Sequence, residues 1–366
     1  MRHLALAVGI ITTAWVLLAL LTNMLVPRST NLRLARVINA IVWRSAVAPL
    51  PMLRTYRQQD RWLAGAAPVA VLLQLVAYAI ALIGTLGLMV WGTTTLSWTD
   101  AFYQSGATFT TLGIVVPSDS AGIVVTFIAA FLGLVLVAVF VGYLIGLYSS
   151  YGVRESLMVR LAAEAGEPAW GPEIVARSHS IGAEFGAVPV PDTWIDWVTQ
   201  LRTAQQVTPV LGQFRSTSPA RHWVISLLAV LDATALQAAL RPDVLTATQI
   251  KLLAVGADTL RALAAGSGRD LSSIGELETS VVAALRGARA ELGAAGLDAQ
   301  EWAAGVARLV ESGAATQQQL DDAGGRFCAI RALYADAAYA LARAFHAVPA
   351  PWSGPRRRGD APGVSR

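Results

Sequence analysis

Threonine and glycine residues are concentrated in one short segment of the chain, residues 97–114. Thr108, Thr110, Thr111 and Gly113 lie there with only one phenylalanine and one leucine among them. Threonine hydroxyls and backbone carbonyl oxygens are groups that can replace the hydration shell of a cation. The chemistry that these residues offer is therefore the coordination of a cation.

A short helix is expected to begin just before these oxygens. Ser97 or Asp100 can cap its first turn, and the Asp100 carboxylate also suits the positive end of a helix dipole. The carboxyl end of such a helix carries partial negative charge, which favours a cation beside the threonines and glycine that follow. Irregular backbone at membrane depth must be buried by protein or line a water-filled path. We therefore expect a re-entrant segment, in which a helix goes in and an extended strand returns.

Three uncharged apolar runs are long enough to cross a bilayer, which takes about 20 helical residues. They are Leu4 to Val26, Pro68 to Trp91 and Ala121 to Tyr148. Only 14% of the residues are charged, whereas soluble domains carry about 25%. The first run is too long for the apolar region of a signal peptide, so we expect it to remain as an anchor. The composition predicts an all-α membrane protein with three transmembrane helices.

The stretch between the first two apolar runs determines the expected topology. It contains seven arginines and a single acidic residue, Asp60. Short Arg-rich loops stay on the cytoplasmic side of a membrane. We therefore expect the amino terminus and residues 92–120 to lie outside and the chain after Tyr148 to lie in the cytoplasm. Lys251 is the only lysine among many arginines, which is typical of a GC-rich bacterial genome and indicates a bacterial plasma membrane.

Two interpretations fit the first part of this basic stretch. Arg33, Arg36 and Arg44 are interspersed with apolar residues at a spacing that suits an amphipathic helix at the membrane surface. A solvated connector fits the same residues. In either case Pro49 and Pro51 should end any helix, because proline lacks a backbone donor and clashes with a preceding helical turn.

The chain beyond Tyr148 has the composition of a soluble helical region. Apolar residues recur there at helical spacing, and Trp194 and Trp197 are interpreted as core residues rather than as a platform for a ligand. The tail is rich in Pro, Gly and Arg and is expected to be disordered. The predicted parts are an N-terminal transmembrane helix (1–26), a basic cytoplasmic loop (27–67), an outer helix, pore loop and inner helix (68–150), a helical cytosolic domain (151–348) and the tail (349–366).

Residue types that build metal and catalytic sites are scattered along the chain. No His-x-x-x-His, Cys-x-x-Cys or glycine-rich phosphate-binding pattern occurs. The excess of basic residues lies in one short loop, whereas a nucleic-acid-binding protein would spread it over a soluble face. We therefore expect no metal centre, no cofactor, no enzyme activity and no nucleic-acid partner. The ligand or protein partner of the cytosolic region cannot be read from the sequence.

Ser105 to Gly113, placed between two apolar runs on the external side, resembles the pore of the two-transmembrane potassium-channel family. The resemblance extends over residues 68–150. It implies an ion filter for a monovalent cation, K⁺ in that family, and a pore helix that contains Asp100 and Thr108. The filter would comprise Thr110, Thr111, Leu112, Gly113, Ile114 and Val115, and Asp119 would lie at the outer mouth. One such loop per chain requires several copies to surround an ion, so a homotetramer is expected.

The outer half of this segment departs from the family pattern. That pattern continues with Tyr-Gly-Asp or Phe-Gly-Asp, whereas Ile114, Val115 and Val116 stand here and the nearest acid, Asp119, comes three places late. Glycine serves in such filters because an L-residue resists left-handed backbone conformations, most strongly if it is β-branched. Val115 at the position of the second glycine therefore predicts reduced potassium selectivity.

Glycines interrupt the third apolar run. The resemblance implies a bend in the inner helix, for which Gly133 is the expected hinge. Gly142 and Gly146 have the four-residue spacing typical of close helix packing in membranes. We interpret the chain as a subunit of a cation channel whose cytosolic region gates it. The alternative is a non-conducting membrane-anchored scaffold, with a degenerate pore segment that only packs and cytosolic helices that bind a protein partner.

Overall fold

The structure is a computed structural model in which the described residues form helices and no β-strand. The described residues are 1–24, 33–114, 120–182, 191–266 and 274–354. The all-helical fold class predicted from the sequence is therefore confirmed. The chain divides into two compact units, of which the first comprises Met1–Ala48 and Gly65–Ser150 and the second comprises Pro49–Ala64 and Tyr151–Arg366.

The α-helices are numbered in chain order. The first six are α1 (Arg2–Met24), α2 (Arg33–Val47), α3 (Tyr56–Ala64), α4 (Ala66–Thr93), α5 (Trp98–Phe109) and α6 (Ser120–Ala165). The next four are α7 (Gly171–Ser180), α8 (Pro191–Val207), α9 (Trp223–Leu240) and α10 (Ala247–Ala264). The last four are α11 (Ile274–Arg286), α12 (Ala299–Glu311), α13 (Gln317–Arg331) and α14 (Ala335–Ala344).

The three predicted apolar runs lie in α1, α4 and α6, and the helical stretches that contain them are long and apolar enough to cross a membrane. Large apolar side chains remain exposed along all three helices, among them Ile11, Trp15, Ile80, Phe127 and Phe131. Soluble proteins rarely leave contiguous apolar surface of this kind in water. These helices therefore need cover from lipid or from other chains.

Helix α9 also passes the test of length and composition for a membrane span, but its surroundings differ. Its apolar window is 94% buried within the second unit, against 28% for α1 and 33% for α6. A helix that is apolar on every side belongs in a protein core or in a membrane. Helices α7, α10, α13 and α14 pack around α9, so α9 is the central helix of a protein core.

Helices α1 and α4 pack closely along their length in opposite directions. The Arg2 guanidinium donates to the Thr94 carbonyl at one end, and the Tyr78 hydroxyl donates to the Ala19 carbonyl at 3.4 Å at the other. A β-carbon at Gly9 would lie only 3.0 Å from the backbone nitrogen of Met89 in α4, so the two helix backbones approach closely at this point. The amino terminus and the residues just before α5 therefore lie at the same end of the first unit, as the predicted topology requires.

The described part of the predicted basic loop, residues 33–67, is divided between the two units, and residues 27–32 lie outside the described residues. Helix α2 forms in the first unit and ends at Val47, before the two prolines. The helix is thus observed rather than the connector. Helix α3 belongs to the second unit because Leu63 is buried and Asp60 lies 3.6 Å from Arg215. The sequence pattern did not predict that α3 belongs to the second unit, because this depends on the contact of Asp60 with Arg215, more than 150 residues further along the chain.

The core of the second unit reaches beyond the predicted start of the tail. Trp352 is buried, stacks on Trp302 and donates from its indole nitrogen to the Glu301 carbonyl at 2.7 Å. Residues 349–354 are therefore packed, in contrast to the expected disorder, because burial of one large aromatic ring outweighs a Pro- and Gly-rich composition. Residues 355–366 of the predicted tail lie outside the described residues. Trp194 and Trp197 are both buried, as expected of core residues.

A buried ion pair joins α9 to α13 inside this core. Arg331 donates to both carboxylate oxygens of Asp232, at 2.9 and 3.1 Å, and also to the carbonyls of Ala295 and Trp352. The Tyr334 hydroxyl donates to the same carboxylate at 2.9 Å. A buried charge is tolerated when a partner and hydrogen bonds surround it in this way. The pair therefore fixes α13 against the central helix.

We expect Arg331→Met to destabilise the protein by about 3–5 kcal/mol, because it leaves a buried carboxylate without its cation. The midpoint of thermal unfolding, followed by tryptophan fluorescence in detergent, should fall by roughly 10 °C. Arg177→Met is the matched control, since Arg177 pairs with Glu173 at the surface and such pairs contribute about 1 kcal/mol at most. Equal shifts in the two variants would contradict this role for Arg331.

Candidate pore-loop site

The amino end of α5 is held by a serine cap. Ser97 has extended backbone angles and its hydroxyl accepts from the Asp100 amide at 3.3 Å. The same hydroxyl lies 2.6 Å from the Asp100 carboxylate, to which it donates. Ser97 is therefore the cap and Asp100 the acidic residue of the first turn. A helix over residues 98–109 thus begins where the sequence predicts one.

Polar side chains on the buried face of α5 attach it to its neighbours. The Ser105 hydroxyl donates to the Ile83 carbonyl of α4 at 2.9 Å, and the Gln104 amide nitrogen donates to the Thr126 hydroxyl of α6 at 3.3 Å. Thr108 is buried on the same face. These anchors hold α5 against both longer helices. The sequence predicted no anchoring role for Gln104 or Ser105, although their polar character within an apolar stretch was a usable signal.

Helix α5 ends in a Schellman motif, in which two amides beyond the helix bond back to carbonyls of its last turn. The Thr111 amide donates to the Thr108 carbonyl at 2.9 Å, and the Leu112 amide donates to the Ala107 carbonyl at 2.7 Å. The Gly113 amide also reaches the Ala107 carbonyl, at 3.3 Å. The predicted extended strand therefore does not begin at Thr111. The reason is that the last carbonyls of the helix need donors, and these amides are the nearest.

The motif forces a β-branched residue into a left-handed conformation. Thr111 has φ 63° and Gly113 has φ 60°. The left-handed region is ordinary for glycine but costs an L-residue roughly 1–2 kcal/mol, and a β-branched residue there is uncommon. Strained backbone of this kind clusters at functional sites. Thr111 is therefore the residue of the predicted filter that the structure marks most clearly.

The predicted filter residues within the described part of the chain all lie at the surface of the first unit. Thr110, Thr111 and Gly113 are exposed, and so are the apolar Leu112 and Ile114, with 67% and 57% of their surface accessible. Phe109, which immediately precedes them, is buried. Val115 and Asp119 lie outside the described residues. The segment thus presents hydroxyl groups, backbone and apolar side chains together on one edge of the unit.

Gly133 of α6 lies directly against the end of α5. A β-carbon at this position would overlap the Phe109 carbonyl oxygen, so any side chain here would push the two segments apart. Gly133 is thus a close-packing residue, and its role as a hinge stays a prediction. A β-carbon at Gly142 or Gly146 would meet no atom within 4 Å. Among the described residues of the same chain, nothing therefore packs closely against these two glycines, and their expected role in helix packing stays a prediction.

Helix α6 continues without a break into the second unit, where a network of polar groups holds its extension. Arg154 donates to the Leu211 and Phe214 carbonyls at 2.8 and 3.0 Å. The Tyr151 hydroxyl donates to the Arg215 carbonyl at 3.0 Å, and the Trp197 indole donates to the Arg154 carbonyl at 3.2 Å. The extension of the predicted inner helix is therefore integrated into the core of the helical C-terminal unit.

Within the part of the chain that the structure describes, no three His, Cys, Asp or Glu side chains are grouped as a metal ion would require. Comparison of the chain with protein-family models, with curated proteins and with solved structures finds no match. The class of protein must therefore be argued from the geometry of the site itself.

We expect Gly133→Ala to displace the end of α5, because the added methyl group would meet a backbone oxygen that cannot rotate away. Overpacking of this kind costs about 1–3 kcal/mol, which thermal unfolding in detergent should detect. Gly142→Ala is the matched control on the same helix, where the added methyl group meets open space. Similar melting temperatures for the two variants would show that Gly133 does not contact α5 in this way.

Proposed function

We propose that the chain is a subunit of a potassium-channel-like cation channel with a Thr-Thr-Leu-Gly filter. The observation that carries the proposal is the short capped helix α5, attached to α4 and α6 and ending in the exposed residues Thr110 to Gly113. Its carboxyl end carries partial negative charge toward these residues, and no basic side chain lies in the segment to oppose a cation. This is the arrangement that a cation-binding pore loop needs.

The proposal includes a location and a topology. Helices α1, α4 and α6 would cross a bacterial plasma membrane, with the loop between α4 and α6 outside and the C-terminal unit in the cytoplasm. The exposed apolar side chains along these helices support contact with membrane lipid. The arginines between α1 and α4 support the cytoplasmic side for that connection.

A homotetramer is part of the same proposal. A single loop cannot surround an ion, and closed symmetry around one axis would bring the Thr111 and Gly113 oxygens of several subunits together. The apolar Leu112 and Ile114 would then be covered by neighbouring subunits rather than exposed. The continuity of α6 into the C-terminal unit supplies a mechanical route by which that unit would gate the pore.

The alternative is a non-conducting membrane-anchored scaffold whose C-terminal helices bind a protein partner. Its supporting observation is the Schellman motif, in which the Ala107 and Thr108 carbonyls are occupied by the chain's own amides. Carbonyl groups engaged in this way are less free to coordinate an ion. Conduction would then require the backbone after Thr110 to rearrange when subunits assemble.

Cation flux into proteoliposomes that contain the purified protein separates the two functions. If the channel proposal is correct, Thr111→Val should reduce K⁺ flux by at least about tenfold, since each lost oxygen contributes roughly 1 kcal/mol and the loss recurs in every subunit. Thr12→Val, on a partly exposed threonine of α1, is the matched control. Native mass measurement of the same preparation should give four times the 38.6 kDa of one chain. Flux that ignores Thr111, or a stable monomer, would favour the scaffold.

Reduced potassium selectivity is a further expectation for a conducting protein, because Val115 stands where the family places its second glycine. Fewer carbonyl rings would then replace the hydration shell of the ion. The reversal potential with K⁺ on one side and Na⁺ on the other should indicate weak discrimination in the parent protein and stronger discrimination in Val115→Gly. Strong K⁺ preference in the parent would contradict this interpretation of Val115.

A further inference from the structure

Three arginines around the start of α3 are directed away from the protein. Arg54, Arg57 and Arg61 are all exposed, and no described residue accepts a hydrogen bond or forms an ion pair with their guanidinium groups. Arg57 and Arg61 are four residues apart on one helix, so they lie on the same face. This concentration of positive charge has no counter-charge within the described part of the chain.

The only acidic residue of the basic stretch does not neutralise this face. The Asp60 side chain is buried, as is that of Leu63, and it lies 3.6 Å from Arg215, whereas the arginines are exposed. Burial raises the pKa of the Asp60 carboxyl, and the Arg215 charge opposes that rise only in part. Whether ionised and paired or protonated, Asp60 contributes no negative charge to the outward face.

The position of α3 along the chain places its arginines close to a bilayer surface. Arg61 precedes Ala66, the first residue of α4, by five positions, which corresponds to about 8 Å of helix. The headgroup layer extends over a comparable depth beyond the hydrocarbon core. Trp62 is next to Arg61 and is 54% exposed, and tryptophan is enriched at membrane interfaces.

We infer that the outward face of α3, formed by Arg54, Arg57 and Arg61 with Trp62 beside them, binds the headgroups of anionic phospholipids. The inference rests on the proposed membrane location of α4, but it does not depend on ion conduction. Guanidinium groups bind phosphate through two parallel hydrogen bonds, and an indole ring suits the boundary between headgroups and acyl chains. The competing explanation is that the arginines only direct topology during insertion and contact no particular lipid.

Lipid binding to the purified full-length protein tests the inference. Native mass spectrometry in detergent should show tighter retention of dioleoylphosphatidylglycerol than of dioleoylphosphatidylcholine. The combined variant Arg54→Gln, Arg57→Gln, Arg61→Gln should lose about a hundredfold in affinity for the anionic lipid, because each arginine near a charged surface contributes roughly fivefold. Binding of the zwitterionic lipid should not change. Arg57→Gln alone, which leaves the other arginines to maintain topology, should lose about fivefold.

The matched control removes the same number of charges elsewhere in the second unit. Arg261, Arg286 and Arg343 are exposed, and their replacement by Gln should leave lipid binding unchanged. Equal losses in both triple variants, or no loss in either, would overturn the inference. Displacement of the lipid by excess inorganic phosphate would identify a site for a soluble phosphate instead. Protein that floats with vesicles but retains anionic and zwitterionic lipid equally in native mass spectrometry contradicts this inference alone, whereas protein that floats with no vesicles also contradicts the proposed membrane location.

Discussion

The end of α5 imposes the constraint on which the first unit depends. A helix that stops inside a bundle leaves its last carbonyl groups without intrahelical donors. Here the amides of Thr111, Leu112 and Gly113 supply them, at the cost of a left-handed threonine. The turn brings the Phe109 carbonyl so close to α6 that only glycine fits at position 133. The residues that follow, 110–114, are all exposed.

The two units are stabilised by different means. In the first unit, α1 and α4 approach through glycines, and isolated hydrogen bonds such as that of Ser105 attach α5. In the second unit, buried ion pairs such as Asp232 with Arg331 and Arg202 with Asp258 cross the core. A buried ion pair is tolerated where hydrogen bonds surround both ions, as they surround Arg331 and Asp232 here. In a lipid environment, burying an apolar side chain between two helices contributes little free energy, because lipid tails are equally apolar. Helices there associate mainly through close backbone contact at small residues.

The connections between the units bear on how the proposed channel would be controlled. Helix α6 runs unbroken from its contact with the end of α5 into the polar network around Arg154, and the residues before α4 form α3, in which Asp60 pairs with Arg215. The segment from Leu211 to Arg215 therefore contacts both α3 and the C-terminal part of α6. A rearrangement of this short segment would be felt by α3 and α6 together.

The sequence by itself determined the helical class, the three apolar runs, a short helix that starts near Ser97 or Asp100 and the end of α2 before Pro49. These features depend on composition, hydrophobic run length and capping, which are properties of neighbouring residues. It also pointed to Thr111 and Gly113, although not to their backbone conformation.

Only the tertiary structure decided which apolar helix is surrounded by protein, because α9 and α1 differ in their neighbours rather than in their composition. It also decided that α3 joins the C-terminal unit, that Trp352 completes its core and that Gly133 meets Phe109. Each of these outcomes depends on a contact between residues distant in the chain, and a single sequence carries no direct record of such contacts.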